Sequence, residues 1–298
     1  MASKTFLDLG ALGLYTETPL HCGAEGGTGY VDLPIQRERH TLYPVIPGST
    51  LKGVLRDELK DDLGATMVDA VFGTEDAKGP GTVSFGDGVL AAFPVRSSHA
   101  PFHWVTCPFV LERVFRLLGR TVKLPGDPGP RCAWARDEGH VLLEELRVEK
   151  VAEPAFFADG AASGINVLLG LLPGADRGFE YTRGLFRGRF LILSDEDFKE
   201  LAQTATDVVT RIKLNAYGTT RTITREENKD LSDFDRQGNL FVEEVLPPES
   251  LFVAPLRGET EHSQQFRTAL GKRPVVRLGG DETIGRGVTH MTFVPRNG

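Results

Sequence analysis

Apolar residues recur along this chain with two different periods. Leu51, Val54, Leu55, Leu59 and Leu63 fall on one helical stripe, with Ser49 or Thr50 placed to cap its start. Phe198, Leu201, Ala205, Val208 and Ile212 form a second stripe behind Ser194, which predicts a capped helix. A third helix is expected in TCPFVLERVFRLLG, where Pro108 occupies a first turn that tolerates proline, and a fourth over residues 262–272. Between them lie segments with the composition of strands: residues 6–18, ended by Pro19 where a ladder donor is lost, then 82–97, 190–193, 275–278 and 288–294.

Three stretches do not follow either period. Residues 21–44, HCGAEGGTGYVDLPIQRERHTLYP, carry four glycines, a lone Asp32 and a mixed basic run, and loops of that length in a compact domain are usually functional. Residues 121–159 are rich in Pro, Gly and charge and read as a variable excursion from the core. Residues 213–246 read as two strands with a long polar tip, Thr219, Arg221, Ile223 and Arg225 alternating against Leu240, Val242 and Glu244. An isolated two-stranded ribbon is only marginally stable, so this arm is expected to project and grip something; an ordinary surface hairpin is the alternative.

Composition narrows the classes. Glycine (34) and proline (18) make up about 17% of 298 residues, below the roughly 25–30% of low-complexity chains. The net charge of −7 is the opposite of a simple nucleic-acid footprint, so a polyanion site must be local. Residues 30–56 and 272–286 each hold four cations and two acids, and are expected to form one basic groove with salt-dependent binding. Three cysteines without CxxC spacing argue against a disulfide framework or zinc cluster and fit a reducing cytoplasm. No apolar run reaches the roughly 18 residues that span a bilayer, and Asp8 interrupts any signal-peptide core.

Candidate chemistry gathers at a few places. Gly48 and Ser49 bring backbone N–H groups to a helix start, where the dipole favours an anion, with Lys52 and Arg56 four apart on one face; a capped surface helix is the plain alternative. Gly279, Gly280, Gly285 and Gly287 lie between the two last strands, and successive amides there can form an anion-binding nest. Arg37, Arg39, Lys52, Arg56 and Arg286 are the leading phosphate contacts. His21 and His40 bracket the Asp32 loop and can shuttle protons near neutral pH, or simply anchor it by hydrogen bonds. Cys22 neighbours the loop without a basic partner to activate it.

The order of strands and helices, together with HCGAEGGTGYVDLPIQRERHTLYPVIPGSTLKGVLR, FG at Phe72 and Gly73, VSFGDGVLAAFPVRS, WVTCPFVLER and LGGDETIGRGV, resembles the RAMP superfamily of CRISPR proteins. Within it the match is to the repeated backbone subunit of the type III-B (Cmr) effector complex, with VDLPIQRERH the most diagnostic motif. The resemblance implies an α+β fold: one domain with a modified ferredoxin-like (RRM-like) core, an insertion near residues 121–180 and a projecting β-hairpin thumb near 213–246. It also implies several copies stacked along a guide CRISPR RNA beside other Cmr subunits, cutting paired target RNA at regular intervals as a metal-dependent endoribonuclease. The family's catalytic aspartate carries over onto Asp32, also the expected metal ligand, and its supporting acid onto Glu243. A tyrosine the family can present two residues later is Val245 here. The residues expected to contact RNA are Arg37, Arg39, His40, Ser49, Lys52, Arg56, Arg221, Gly279, Gly280, Gly285, Arg286 and Gly287.

The chemistry is consistent with this transfer. A displaced nucleotide can swing its 2′-OH in line with its own phosphodiester, so the protein need mainly orient and neutralise charge. Asp32 can serve as a general base or hold a divalent ion, Mg or Mn, beside the phosphate. Two rivals stay open: a guide-binding scaffold that cuts nothing, and a nuclease that processes precursor guide RNA without a target.

Overall fold

In the computed structural model, residues 7–24, 30–75, 79–212, 240–258 and 260–296 are described. In chain order the first half contains β1 (Leu7–Thr16), β2 (Val45–Ile46), α1 (Gly48–Glu58), α2 (Lys60–Leu63), α3 (Ala65–Phe72), β3 (Val83–Phe85), β4 (Gly88–Arg96), β5 (Phe102–Thr106) and α4 (Pro108–Leu118). The second half contains β6 (Cys132–Ala135), β7 (Gly139–Leu143), β8 (Leu146–Ala152), α5 (Gly164–Leu169), α6 (Glu180–Gly188), β9 (Phe190–Leu193), α7 (Asp195–Thr204), β10 (Asp207–Ile212), β11 (Leu240–Val245), β12 (Leu251–Gly258), α8 (Thr260–Lys272), β13 (Val275–Arg277) and β14 (Val288–Pro295).

One mixed sheet dominates, ordered β13-β14-β1-β12-β4-β5-β9-β6-β8-β7, with β2 on β4 and β3 on β12. Its middle is antiparallel: β1 pairs with β14 on one side and β12 on the other. Leu12, Leu14, Tyr15, Phe252, Val253 and Phe93 there are essentially inaccessible, as expected of strands covered on both faces. Helix α4 packs against β1, β4 and β12, burying Val110, Leu111, Val114, Phe115 and Leu118. Pro108 opens it and Gly119 ends it in the left-handed conformation. This is the α+β architecture expected, and no helix among the described residues is long and apolar enough to cross a membrane.

Four expectations change. Helix α1 starts at Gly48 behind Pro47 with no side-chain cap, and Ser49 is exposed. The Gly48 N–H instead donates to Asp87 Oδ1 at 2.7 Å, because the strand expected over 82–97 breaks at Gly86–Asp87 and brings that carboxylate to the helix start. Residues 121–159 are not merely a loop: β6, β7 and β8 extend the main sheet through β9. Helix α7 is capped by Ser194, whose Oγ accepts from Asp197 N–H at 3.1 Å, but it ends at Thr204. Val208 and Ile212 lie on β10 and are 56% and 52% exposed, because the β-branched run VVTRI favours a strand with a partner over another helical turn.

Candidate RNA-cleavage site

Strands β10 and β11 form a separate two-stranded ribbon, in register from Asp207 opposite Val245 to Ile212 opposite Leu240. The first strand of the arm therefore begins before residue 213. Arg221 and the alternating stretch 219–225 lie outside the described residues. The Asp32 loop is laid along β11, Leu33 bridging to Glu243 in the parallel sense. Asp32 and Leu33 N–H both donate to the Val242 carbonyl, at 3.0 and 3.1 Å, and Glu244 N–H donates to the Leu33 carbonyl at 3.0 Å. The side chain closes the contact: Val242 N–H donates to Asp32 Oδ2 at 2.8 Å. One carboxylate oxygen is thus fixed by backbone, and the half-buried residue keeps the other for chemistry.

The next residue of β11, Glu243, faces an ionic cluster. Glu243, 1% exposed, accepts through Oε2 from Arg286 Nη1 and, at 3.0 Å, from Arg211 Nη1. Asp281 Oδ2 accepts from the same two guanidinium nitrogens, at 3.2 Å from Arg286. Two acids meet two cations there, so the buried Glu243 is paired rather than isolated. Burial pulls the Asp281 carboxyl upward, but its hydrogen bonds and the charges of Arg211 and Arg286 outweigh it and hold the group below its usual range. Burial likewise works against the Arg211 charge, and Glu243 and Asp281 reverse it.

His21 completes this corner. Its Nδ1 lies 2.8 Å from the Glu244 carbonyl and 3.7 Å from Glu243 Oε1. A carbonyl only accepts, so Nδ1 carries the proton and Nε2 is the acceptor of the neutral ring. The glycine-rich turn after β13 packs onto the same residue. Gly279 adopts φ +77°, and a Cβ there would fall 2.2 Å from the His21 carbonyl oxygen; Gly280 N–H donates to that oxygen at 2.8 Å, and Gly287 N–H to the Pro19 carbonyl at 2.9 Å. Gly285 N–H donates within the turn to Glu282. These amides serve close approach of backbone to backbone, so the expected anion nest is filled by protein.

The candidate residues therefore divide. Asp32, Glu243, His21, Arg286, Gly279, Gly280 and Gly287 are brought together around β11. Ser49, Lys52 and Arg56 lie apart on α1, which packs against β13. Of the cations, Arg37 is committed internally, to the Leu42 and Ala202 carbonyls and to Glu244. Arg56 bonds Asp69 and the Gly73 carbonyl, Lys272 and Arg273 share Asp62, and Arg277 pairs with Glu282. Among the described residues Arg39 and Lys52 are exposed with no ion pair, and His40 is exposed beside Glu38. The cations expected to form a groove from residues 30–56 and 272–286 are thus largely paired, mostly with acids outside those segments: Asp62, Asp69, Glu243 and Glu244. Cys22 is buried, which pushes its thiol up to about 12 and leaves it inert, and Val245 is buried at the position of the family's tyrosine.

Sequence reasoning missed Arg211, Asp281 and Glu244 as partners here. They meet only through pairings of residues tens to hundreds apart, and the sole local hint was the acidic pair Glu243–Glu244 on an otherwise apolar strand. A divalent ion has a narrow foothold. Among the described residues no three His, Cys, Asp or Glu side chains form a metal-holding group, and Asp32 offers one oxygen beyond its bond to Val242. That donor set fits an ion of the magnesium type, which keeps most of its shell as water and substrate phosphate; it does not fit a resident ion.

The chain has relatives in both sequence and structure. A sequence model of the RAMP superfamily matches residues 14–290. The CRISPR system Cmr endoribonuclease Cmr4 of Pyrococcus furiosus is 32% identical over 304 residues, covering 96% of this chain and 97% of that protein. The CRISPR system CMR subunit Cmr4 of Saccharolobus solfataricus is 25% identical over 92% of this chain and 93% of its own. Among solved structures, oligomeric Cmr4 from Pyrococcus furiosus superposes with a TM-score of 0.70 at 26% identity, covering 98% and 100% of the two chains. A chain of the type III-B Cmr-beta complex bound to cognate target RNA shows the same fold, with a TM-score of 0.72 at 21% identity over 97% and 98%. With the family model matched over residues 14–290 and a relative 32% identical over 96% of its length, this chain belongs to the RAMP superfamily.

Proposed function

We propose that this chain is a backbone subunit of a type III-B CRISPR effector complex, which lines up in several copies on a guide RNA and cuts the paired target RNA as an endoribonuclease. The observation that carries the reading is the Asp32 carboxylate pinned through one oxygen to the Val242 N–H at the base of the arm. A held acid is what in-line cleavage by a ribose 2′-OH needs, since the nucleophile comes with the RNA and the protein supplies orientation. The Pyrococcus relative is named an endoribonuclease, and its oligomeric structure supports a chain that works beside copies of itself. Placement in the cytoplasm fits three free cysteines, two of them buried.

The free oxygen of Asp32 is positioned to take the proton of the 2′-OH or to hold a divalent ion arriving with the RNA. Such an ion, magnesium or manganese, would supply charge neutralisation at the phosphate. His21 Nε2, an acceptor while Nδ1 donates to the Glu244 carbonyl, can pass a proton to the leaving oxygen after first taking one from solvent, and returns to the same form. Glu243 contributes indirectly, by holding Arg211 and Arg286 at the base of the ribbon. Arg39, Lys52 and the exposed His40 are the proposed contacts to the guide phosphates, and DNA, lacking the 2′-OH, binds without being cut.

The test is a complex reconstituted with guide RNA and other Cmr subunits, given a paired target. Evenly spaced cuts whose number follows the copies of this subunit, with dependence on added divalent ion, are expected. Target binding without any cut would identify a scaffold, and cutting of precursor RNA alone in chelator a processing nuclease.

A further inference from the structure

We infer that Glu244 is a positioning residue for Asp32: a single buried carboxylate that clamps the catalytic loop to the arm and sets where the reacting oxygen sits. This rests on the function proposed above and deepens it.

Glu244 is 7% exposed and uses every hydrogen-bonding part it has. Oε2 accepts from Ile35 N–H at 3.1 Å. Oε1 accepts from Arg37 Nη2 at 2.6 Å and from Thr206 Oγ1 at 2.7 Å. Its N–H donates to the Leu33 carbonyl at 3.0 Å, and its carbonyl accepts from His21 Nδ1 at 2.8 Å. One residue therefore ties together the His21 segment, the loop immediately after Asp32, and the corner between α7 and β10. Glu243, the neighbouring acid, points instead into the cluster with Arg211, Arg286 and Asp281 and bonds no part of the 32–37 loop.

The loop is also tied along its other edge to residues 22–24, where Ala24 N–H donates to the Pro34 carbonyl at 2.8 Å and Gln36 N–H to the Cys22 carbonyl at 2.7 Å; toward β11 its side-chain anchor beyond Asp32 is Glu244. Asp32 and Leu33 are held to Val242 by backbone bonds that a strand can make in more than one register, whereas the Ile35 N–H and the Arg37 fork meet Glu244 in one register only. Arg37 in turn donates to the Ala202 carbonyl at 2.9 Å, so the clamp is braced on α7. A displacement of the reacting group by about 1 Å costs on the order of 100-fold in rate, and supporting bonds of this kind are what hold such a group within about 0.5 Å. Replacing the carboxylate by an amide keeps the size but puts an NH2 against either the Ile35 N–H or the two Oε1 donors. The loop then has to shift.

The experiment uses the full reconstituted complex and measures single-turnover target cleavage at saturating target, target affinity, and the pH–rate profile from about pH 6 to about pH 9. For Glu244→Gln a cleavage rate lowered about 10- to 100-fold is expected, with target affinity unchanged and the profile lowered uniformly. A residue that titrates in the reaction would change the profile's shape, and a purely structural one would lower target binding in step with rate; either result, or a rate within about twofold of wild type, overturns the inference. Should Glu244→Gln fail to assemble, Thr206→Val removes one Oε1 donor at nearly constant volume: a cleavage rate lowered about threefold with intact binding sustains the clamp, and an unchanged rate removes it. Asp32→Ala in parallel separates the two levels. If Asp32→Ala still cuts while Glu244→Gln is slow, Glu244 does not act through Asp32 and this inference fails; if the wild-type complex does not cut, the proposed function fails first.

Discussion

The main sheet and the β10–β11 ribbon are built from the same strand chemistry but are held by different forces. In the sheet, β1, β12 and β4 bury Leu14, Phe252 and Phe93 with no measurable exposure, and cohesion comes from apolar area removed from water. The ribbon leaves Val208, Ile212 and Leu240 more than half exposed and is held by the Glu243, Asp281, Arg211 and Arg286 charges, the Glu244 clamp and backbone bonds to the Asp32 loop. Apolar packing resists displacement in every direction and scarcely responds to salt or pH. A hydrogen-bonded ionic joint specifies one geometry and can be loosened locally, which suits the role proposed for this part, gripping RNA while aligning an acid.

The comparison predicts unlike consequences for damage in the two regions. The largest loss of stability is expected in the sheet: Phe252→Ala should cost about 3–5 kcal/mol, measured by denaturant unfolding, with hydrogen exchange accelerated across the whole chain. Arg286→Ala should cost less, about 1–3 kcal/mol, because Arg211 remains 3.0 Å from Glu243. Its exchange should quicken over residues 241–245 while residues 89–95 stay protected. Equal acceleration in both places would show that ribbon and sheet open as one unit and would break the distinction.

A smaller effect concerns pH. Burial raises the Glu249 carboxyl, at the corner between ribbon and sheet, from about 4.5 to about 7. The folded chain then binds a proton that the unfolded chain releases, so this group's contribution to stability falls as pH rises from about 4.5 through about 7. Glu249→Gln should remove that slope, as read from unfolding midpoints across the window, and a slope that persists would place its origin elsewhere. The smallest effect is expected at Lys52, exposed and unpaired among the described residues. Lys52→Ala should weaken guide-RNA binding a few-fold and reduce the salt slope by about 1, without altering stability.

Much of the sheet was legible in the sequence because its signals are local. Pro108 and Gly119 bracket α4 at the positions where a helix tolerates proline and needs a left-handed residue, and Ser194 caps α7 through its own third neighbour. The ribbon was harder. Residues 207–212 continue an apolar helical stripe, and only pairing with residues 240–245 makes them a strand. Asp87 fills the start of α1 from 39 residues away, so the helix that offered a free anion site is already satisfied. Asp32 and Glu243 were reachable through the family motif, but Arg211, Asp281 and the role of Glu244 depend on contacts spanning up to 223 residues, which no periodicity encodes. Residues 121–159 hid three short strands because turns and charges outnumber apolar positions there.

The most direct measurement is the single-turnover cleavage rate of a paired target by the reconstituted complex carrying Asp32→Asn, with guide and target affinities determined on the same preparation. Asn preserves shape and can still accept from Val242 N–H, yet it neither takes a proton nor offers a charged oxygen to a cation. Loss of cleavage by at least about 1,000-fold with both affinities intact is predicted; a rate within a few-fold of wild type would contradict the assignment of the reaction to this carboxylate.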